Sequence, residues 1–202
     1  MKVSWRGFYA IVDPAVCEPV VTAEAILRGG CAVLQLRDKR GDDRQTVAIG
    51  RELASRCREA GVPFVMNDRL DLALIAGADG LHLGQDDLTL ADARPHFAGP
   101  IGVSTHSLVQ AESAIREGAD LIGLGPIFPT TSKENPDPVV GLEGLRDVCA
   151  RVEVPVVAIG GLSPDHAADL SSAGAPLAAA ISAVCRASDP AEPARRFHEA
   201  LR

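Results

Sequence analysis

The residues best suited to chemistry in this sequence follow short apolar runs. Gln35, Arg37 and Lys39 alternate along the end of one run, so their side chains can point the same way. Two neighbouring cations suit an anionic group such as a diphosphate. We therefore interpret this segment as part of an anion-binding site, with a solvated basic loop as the alternative.

Two carboxylates end neighbouring runs and could hold a divalent cation. Asp68 follows the third run and Asp87 follows the fourth. Carboxylates beside a diphosphate suit Mg²⁺, because this ion bridges protein and phosphate oxygens. Helix N-capping is the alternative for each residue, and Asp71 and Asp86 are weaker candidates for the same metal.

Hydroxyls and glycines after later runs suit phosphate binding. Thr130 and Ser132 can donate to phosphate oxygens, and Lys133 can neutralise charge on a leaving group, unless this loop is only a surface turn. Gly160-Gly161 and Ser182 follow the seventh and eighth runs. Glycines there let backbone N–H groups approach phosphate oxygens, and a tight turn alone is the alternative.

The polar residues lie mainly after the apolar runs, because the residues before the runs are mostly Gly, Ala, Pro and Val. Loops that are polar only through exposure would make both sides alike, so the asymmetry favours an enzyme. Two histidines are less informative. His82 lies inside a run, which is typical of a packing histidine, and His106 after the fifth run could be a polar support or a general acid/base.

Eight runs rich in Val, Ile and Leu must position these side chains. Near-continuous apolar runs of this length are typical of strands buried on both faces, as in parallel sheets. The runs are Phe8–Val12, Ala32–Leu36, Phe64–Met66, Leu81–Leu83, Ile101–Val103, Leu121–Leu124, Val156–Ile159 and Leu177–Ile181.

Helix-like segments lie between the runs. Asp43–Ala60 has apolar residues at close to helical spacing, and Ser107 and Ser163 are candidate N-caps. Glycines such as Gly61 and Gly77 can end helices in a left-handed conformation. Eight strand–helix units predict a single-domain (β/α)₈ (TIM) barrel over residues 1–202, whose site lies at the C-terminal ends of the strands. A doubly wound sheet is the alternative, but the first run lacks the G-x-G-x-x-G turn.

Composition and charge exclude several classes of protein. The formal net charge of −7 argues against a nucleic-acid-binding surface, and no run is long enough to span a membrane. The N-terminus has no long apolar segment of a secretory signal. Five scattered cysteines without a CxxC pair argue against a disulfide framework or a zinc site, so we expect a cytoplasmic protein.

Several phrases of the sequence, in this order, closely resemble the thiamine-phosphate synthase family. The resemblance extends from Tyr9 to about Arg196, and order and spacing together make it specific. The phrases are Leu34–Lys39, Asn67–Asp71, Gly77–Asp87, Gly102–His106, Gly125–Lys133 and Ala158–Gly161.

The resemblance implies a transferase that joins 4-amino-2-methyl-5-hydroxymethylpyrimidine diphosphate to a thiazole phosphate, releasing diphosphate. It also implies Mg²⁺, held by Asp68 and Asp87. A homo-oligomer is compatible with it. By the same resemblance, the pyrimidine diphosphate contacts are Gln35, Arg37, Lys39, Asn67, Ser104 and Lys133, and the thiazole phosphate contacts are Thr130, Thr131, Ser132, Gly160 or Gly161, Ile181 and Ser182.

Three rival functions stay open at this point. A thiazole tautomerase shares the resemblance and would use His106 as an acid/base without Mg²⁺. The complete set of Arg37, Lys39, Asp68, Asp87 and Lys133 favours the synthase instead. The others are a different phosphate-binding barrel, such as a sugar-phosphate epimerase, and a catalytically silent ligand-binding relative.

Overall fold

A computed structural model describes residues 6–130 and 137–202. Within them, eight parallel strands pair in chain order and close into a barrel, because β8 pairs with β1. This confirms the (β/α)₈ prediction. The strands are β1 (Gly7–Val12), β2 (Val33–Leu36), β3 (Phe64–Asn67), β4 (Gly80–Leu83), β5 (Ile101–Thr105), β6 (Leu121–Leu124), β7 (Val156–Ile159) and β8 (Leu177–Ala180).

Helices surround the barrel and follow the strands. They are α1 (Pro19–Gly29), α2 (Asp43–Ala60), α3 (Leu70–Ala76), α4 (Leu90–Ala93), α5 (Leu108–Arg116), α6 (Gly141–Arg151), α7 (Ala167–Ser172), α8 (Ser182–Cys185) and α9 (Ala191–Ala200). Ser107 caps α5 through Gln110 N, as predicted, whereas Ser163 caps the 3₁₀ turn Pro164–His166 that precedes α7. Among the described residues, no helix is both long and apolar enough to cross a membrane.

Strand alternation separates two apolar regions. Outward side chains such as Phe8, Leu34 and Phe64 pack under the helices, while inward side chains such as Val33 and Val157 fill the barrel. The N-terminal strand ends, which we call the foot, are thereby closed. The C-terminal ends, which we call the mouth, remain open to a cavity.

A repeated Gly-Ala-Asp phrase ties the foot together. Gly77 takes a left-handed conformation with φ of 72° and ends α3, and two residues later Asp79 accepts a hydrogen bond from Phe64 N at 2.9 Å. Asp120 accepts from Ile101 N at 2.8 Å in the same way. Each carboxylate thus satisfies the first N–H of a neighbouring strand.

Candidate active site

A cavity of about 490 Å³ lies at the mouth, and every one of the eight strands contributes to its lining. Three predicted site residues, Thr131, Ser132 and Lys133, lie outside the described residues. Three more, Lys39, Asp68 and Asp87, lie beside the cavity without lining it. The predicted residues that do line it are Gln35, Arg37, Asn67, Ser104, Thr130, Gly160, Gly161, Ile181 and Ser182.

A chain of hydrogen bonds crosses the floor of the cavity from β1 to β3. The Tyr9 hydroxyl donates to Gln35 Oε1 at 2.7 Å, and Gln35 Nε2 donates to Asn67 Oδ1 at 2.9 Å. Burial raises the pKa of Tyr9, so its hydroxyl keeps the proton that it donates. The floor is therefore polar but uncharged on this side.

Arg37 brings a positive charge to the cavity wall and is held there by an ion pair. Its Nη1 atom lies 2.5 Å from Asp13 Oδ2, and Asp13 is only 5% exposed. A buried carboxylate needs such a partner, so the pair fixes the guanidinium in place. The remaining N–H groups of Arg37 can still meet an anion.

Lys39, Asp68 and Asp87 form a charged group next to the cavity. Lys39 Nζ lies 2.7 Å from Asp68 Oδ2. Burial, followed by a hydrogen-bonding contact with the Asp87 carboxyl, raises the pKa of Asp68 to about 6, against the opposing effect of Lys39. The carboxyl groups of Asp68 and Asp87 are therefore in contact, and a bound cation would offset the repulsion between them.

The capping alternative for these two aspartates is wrong. Helix α3 begins after Arg69 without a side-chain cap, and Thr89 caps α4. Asp87 instead accepts from Gly84 N at 2.6 Å within its own loop. Asp68 has a φ of 62°, a left-handed conformation that is uncommon outside glycine. Such backbone strain collects at functional sites.

Two histidines lie at the cavity, each with a partner on a neighbouring element. His82 Nε2 lies 2.9 Å from Ser104 Oγ, so His82 is a site residue rather than only a packing one. His106 Nδ1 lies 2.5 Å from Gly125 O, and its Nε2 lies 3.2 Å from Asp137 Oδ2. Acceptors thus face both ring nitrogens of His106, one on the loop after β6 and one at Asp137.

Backbone forms the opposite wall. Gly160 and Gly161 have φ values of 97° and 67°, and a Cβ on Gly161 would lie 2.6 Å from Pro129 O. The glycines are therefore required by the turn itself, whatever they bind. Phe128 stacks on His166 with ring centroids 4.2 Å apart, which packs the loop after β6 against the loop after β7.

The residues next to the cavity fit one divalent cation. In the described part of the chain, no group of three or more His, Cys, Asp or Glu side chains could hold a metal. The close pair of Asp68 and Asp87 suits Mg²⁺, which commonly binds one or two carboxylates and completes its shell with waters and phosphate oxygens.

Sequence reasoning missed Tyr9 and Asp137, and it placed Asp13 at the mouth without giving it a partner or a role. A signal existed for Tyr9, since it lies two residues before Ile11 in β1. Both side chains therefore face the barrel interior. Asp13 follows β1 in the position where the other strands place their site residues. No local signal marked Asp137.

Comparisons with known proteins agree on one family. The family model described as thiamine monophosphate synthase matches residues 8–184. A thiamine-phosphate synthase of Chloroflexus aurantiacus is 42% identical over 199 residues, covering 96% of this chain and 92% of that protein. One of Moorella thermoacetica is 46% identical over 178 residues, covering 87% of this chain and 84% of that protein.

A solved structure agrees in fold and sequence. The thiamine phosphate pyrophosphorylase from Pyrococcus furiosus superposes with a TM-score of 0.91 at 35% identity, covering 98% of this chain and 96% of that one. The fold, the family model and the relatives all extend over nearly the whole chain. The chain therefore belongs to the thiamine monophosphate synthase family.

Proposed function

We propose that this barrel acts as a thiamine-phosphate synthase, a transferase that joins an aminopyrimidine diphosphate to a thiazole phosphate and releases diphosphate. Family membership supports this activity. The observation that carries it in the structure is a cavity lined by amides and Arg37 on one wall and by glycine backbone on the other. Two different anionic substrates need two such walls.

The first wall suits the pyrimidine diphosphate. Gln35 and Asn67 offer amide groups to the ring, and Ser104 offers a hydroxyl. Arg37 lines the same cavity, and Lys39 lies near Asp68 beside it. In this assignment the two cations, together with Lys133 from outside the described residues, bind the diphosphate.

The second wall suits the thiazole phosphate. Gly160 and Gly161 bring backbone N–H groups close to the cavity, and Ile181 and Ser182 line it after β8. Loops after the seventh and eighth strands often bind phosphate in this fold. Thr130 completes the wall, and Thr131 and Ser132 follow it in the sequence outside the described residues.

In the proposed mechanism, diphosphate leaves first and the thiazole nitrogen then attacks the methylene carbon. An electron-rich aminopyrimidine delocalises the resulting positive charge, so little acid/base chemistry is needed. Arg37, Lys39 and Lys133 stabilise the departing charge. The two walls hold the reacting atoms near each other.

Asp68 and Asp87 would hold Mg²⁺ in this proposal. When bound, the ion supplies positive charge to the oxygens of the diphosphate. A cytoplasmic location and a homo-oligomeric state stay predictions from the sequence.

One assay tests the proposed function. The protein is mixed with both substrates, with and without Mg²⁺, and the release of diphosphate and thiamine phosphate is followed. We expect both products only with the metal. Isomerisation of the thiazole alone would indicate the tautomerase instead, and binding without turnover would indicate a silent relative.

A further inference from the structure

The hydrogen-bonded chain from Tyr9 through Gln35 to Asn67 has a direction. Each amide has one donor end and one acceptor end. Since the Tyr9 hydroxyl donates to Gln35 Oε1, Gln35 must use Nε2 to reach Asn67, and Asn67 must accept through Oδ1. This leaves the Asn67 Nδ2 group, a pure donor, for the cavity that Asn67 lines.

The reverse direction is disfavoured by burial. Turning both amides around would make Gln35 Nε2 donate to the Tyr9 oxygen and would leave Asn67 with Oδ1 for the cavity. The Tyr9 hydrogen would then have no acceptor among residues 6–130 and 137–202, where its one hydrogen bond goes to Gln35. Tyr9 and Gln35 are each only 2% exposed, so bulk water cannot replace that partner.

We propose that Tyr9 is a positioning residue that fixes the amide orientations of Gln35 and Asn67, so that the cavity floor selects a ring with an acceptor nitrogen over a ring with an N–H donor. The inference rests on the proposed assignment of these amides to the pyrimidine. A 4-aminopyrimidine presents an unprotonated ring nitrogen beside its amino group. The corresponding 4-oxopyrimidine presents a ring N–H beside a carbonyl, which is the inverse pattern.

The test is the Tyr9→Phe variant, which keeps the aromatic ring and removes the hydroxyl. Dissociation constants for the 4-amino and 4-oxo pyrimidine diphosphates are measured by calorimetry, and KM for thiazole phosphate is measured in the coupled reaction. We expect the ratio of the two dissociation constants to fall by about tenfold or more. The KM for thiazole phosphate should stay within about twofold of the wild-type value, since that wall is not touched.

A matched control removes another buried hydroxyl from the barrel. Thr105 is fully buried, and its hydroxyl donates to Gly123 O at 3.1 Å, without contact to the amide chain. Thr105→Val should lower the melting temperature as Tyr9→Phe does, yet leave ring selectivity unchanged. A purely structural role for Tyr9 would make the two variants behave alike, and that result would overturn the proposal.

A second variant covers the case in which Tyr9→Phe does not fold. Asn67→Asp can still accept from Gln35 Nε2, but it presents an oxygen where Nδ2 stood. We expect its selectivity to shift towards the 4-oxo ring, and retention of the wild-type preference would overturn the amide-orientation argument. Failure of the proposed function is distinguishable, because the wild-type protein would then form no thiamine phosphate in the presence of Mg²⁺.

Discussion

Aspartates serve opposite purposes at the foot and at the mouth of the barrel. At the foot, Asp79 and Asp120 each accept a hydrogen bond from the first N–H of a neighbouring strand. At the mouth, Asp68 and Asp87 turn towards each other, and burial raises the pKa of Asp68 to about 6. The same type of side chain pairs with backbone N–H groups at one end of the barrel and concentrates negative charge at the other.

This difference means that the aspartates at the foot contribute to stability, whereas those at the mouth contribute to the proposed chemistry. A carboxylate that accepts from a backbone N–H stabilises the fold, because that donor would otherwise lie unpaired. Two facing carboxylates repel each other, and a cation bound between them would relieve that repulsion. In the proposed function, substrate and metal offset that unfavourable charge. Variants at the two ends should therefore change different measured quantities.

The largest effect is expected from Arg37→Met at the mouth. Removal of the guanidinium should lower turnover by about 10²–10³-fold, the usual loss for one group that stabilises transition-state charge. Steady-state kinetics with both substrates measures it. Arg44→Met, at an exposed arginine in the first turn of α2, is the control and should keep wild-type turnover. Equal losses in the two variants would remove the distinction between mouth and surface.

A pair of aspartate variants compares the two ends directly. Asp79→Ala leaves Phe64 N without its acceptor and should lower the free energy of unfolding by about 1–3 kcal/mol, with kcat unchanged. Asp68→Asn should do the opposite, lowering turnover without loss of stability. Urea denaturation and kinetics on both proteins check this. A large loss of stability in Asp68→Asn would contradict the comparison.

Two glycines with nearly equal φ give a finer test. Gly161 at the mouth has φ of 67° and Gly61 at the foot has φ of 69°, but only Gly161 has neighbours that a Cβ would meet. Alanine at Gly61 should lower the free energy of unfolding by about 1–2 kcal/mol from backbone strain alone. Alanine at Gly161 should cause the same kind of strain, and it should also raise the KM for thiazole phosphate. An unchanged KM would show that this turn does not bind the phosphate.

The smallest effect should come from His198 at the foot. Its Nδ1 atom accepts from Phe8 N at 3.3 Å, and burial, followed by the charge of Arg202, lowers the pKa of His198 below its usual 6.5. The unfolded chain therefore takes up this proton at higher pH than the folded chain. Stability from His198 is present above pH 6.5 and declines as the pH falls through and below that value.

Urea denaturation at pH 8 and pH 5.5 measures this dependence. The decline should be shallower in His198→Asn than in the wild-type protein, because the variant lacks the titrating group. Turnover at pH 8 should be the same in both. A steeper decline in the variant would reverse the sign of the argument.

Much of the fold could be predicted because each element has a local cause. The apolar runs located all eight strands to within two residues, and the helix predicted over Asp43–Ala60 has those bounds in the structure. Gly61 and Gly77 end their helices in left-handed conformations as predicted. These features depend on periodicity and on glycine, which act over a few residues.

The contacts between strands could not be predicted in the same way. Tyr9 and Gln35 are 26 residues apart, and Gln35 and Asn67 are 32 apart, so only the barrel register brings them together. The same holds for Arg37 with Asp13, 24 residues earlier. Sequence showed which side chains could bind anions, but the partners that hold them in place depend on the pairing of β1 with β2 and of β2 with β3.

The pairing of β8 with β1, which closes the barrel, also affects how the chain folds during synthesis. One side of β1 pairs with β2, and the other pairs with β8 in the register Gly7 to Leu177. A ribosome must therefore add some 170 residues before the second side of β1 finds its partner. Until then the nascent chain exposes an unpaired strand edge, which is a template for association with other chains. The final strand removes that edge, so truncation before β8 should yield aggregates rather than a smaller soluble barrel.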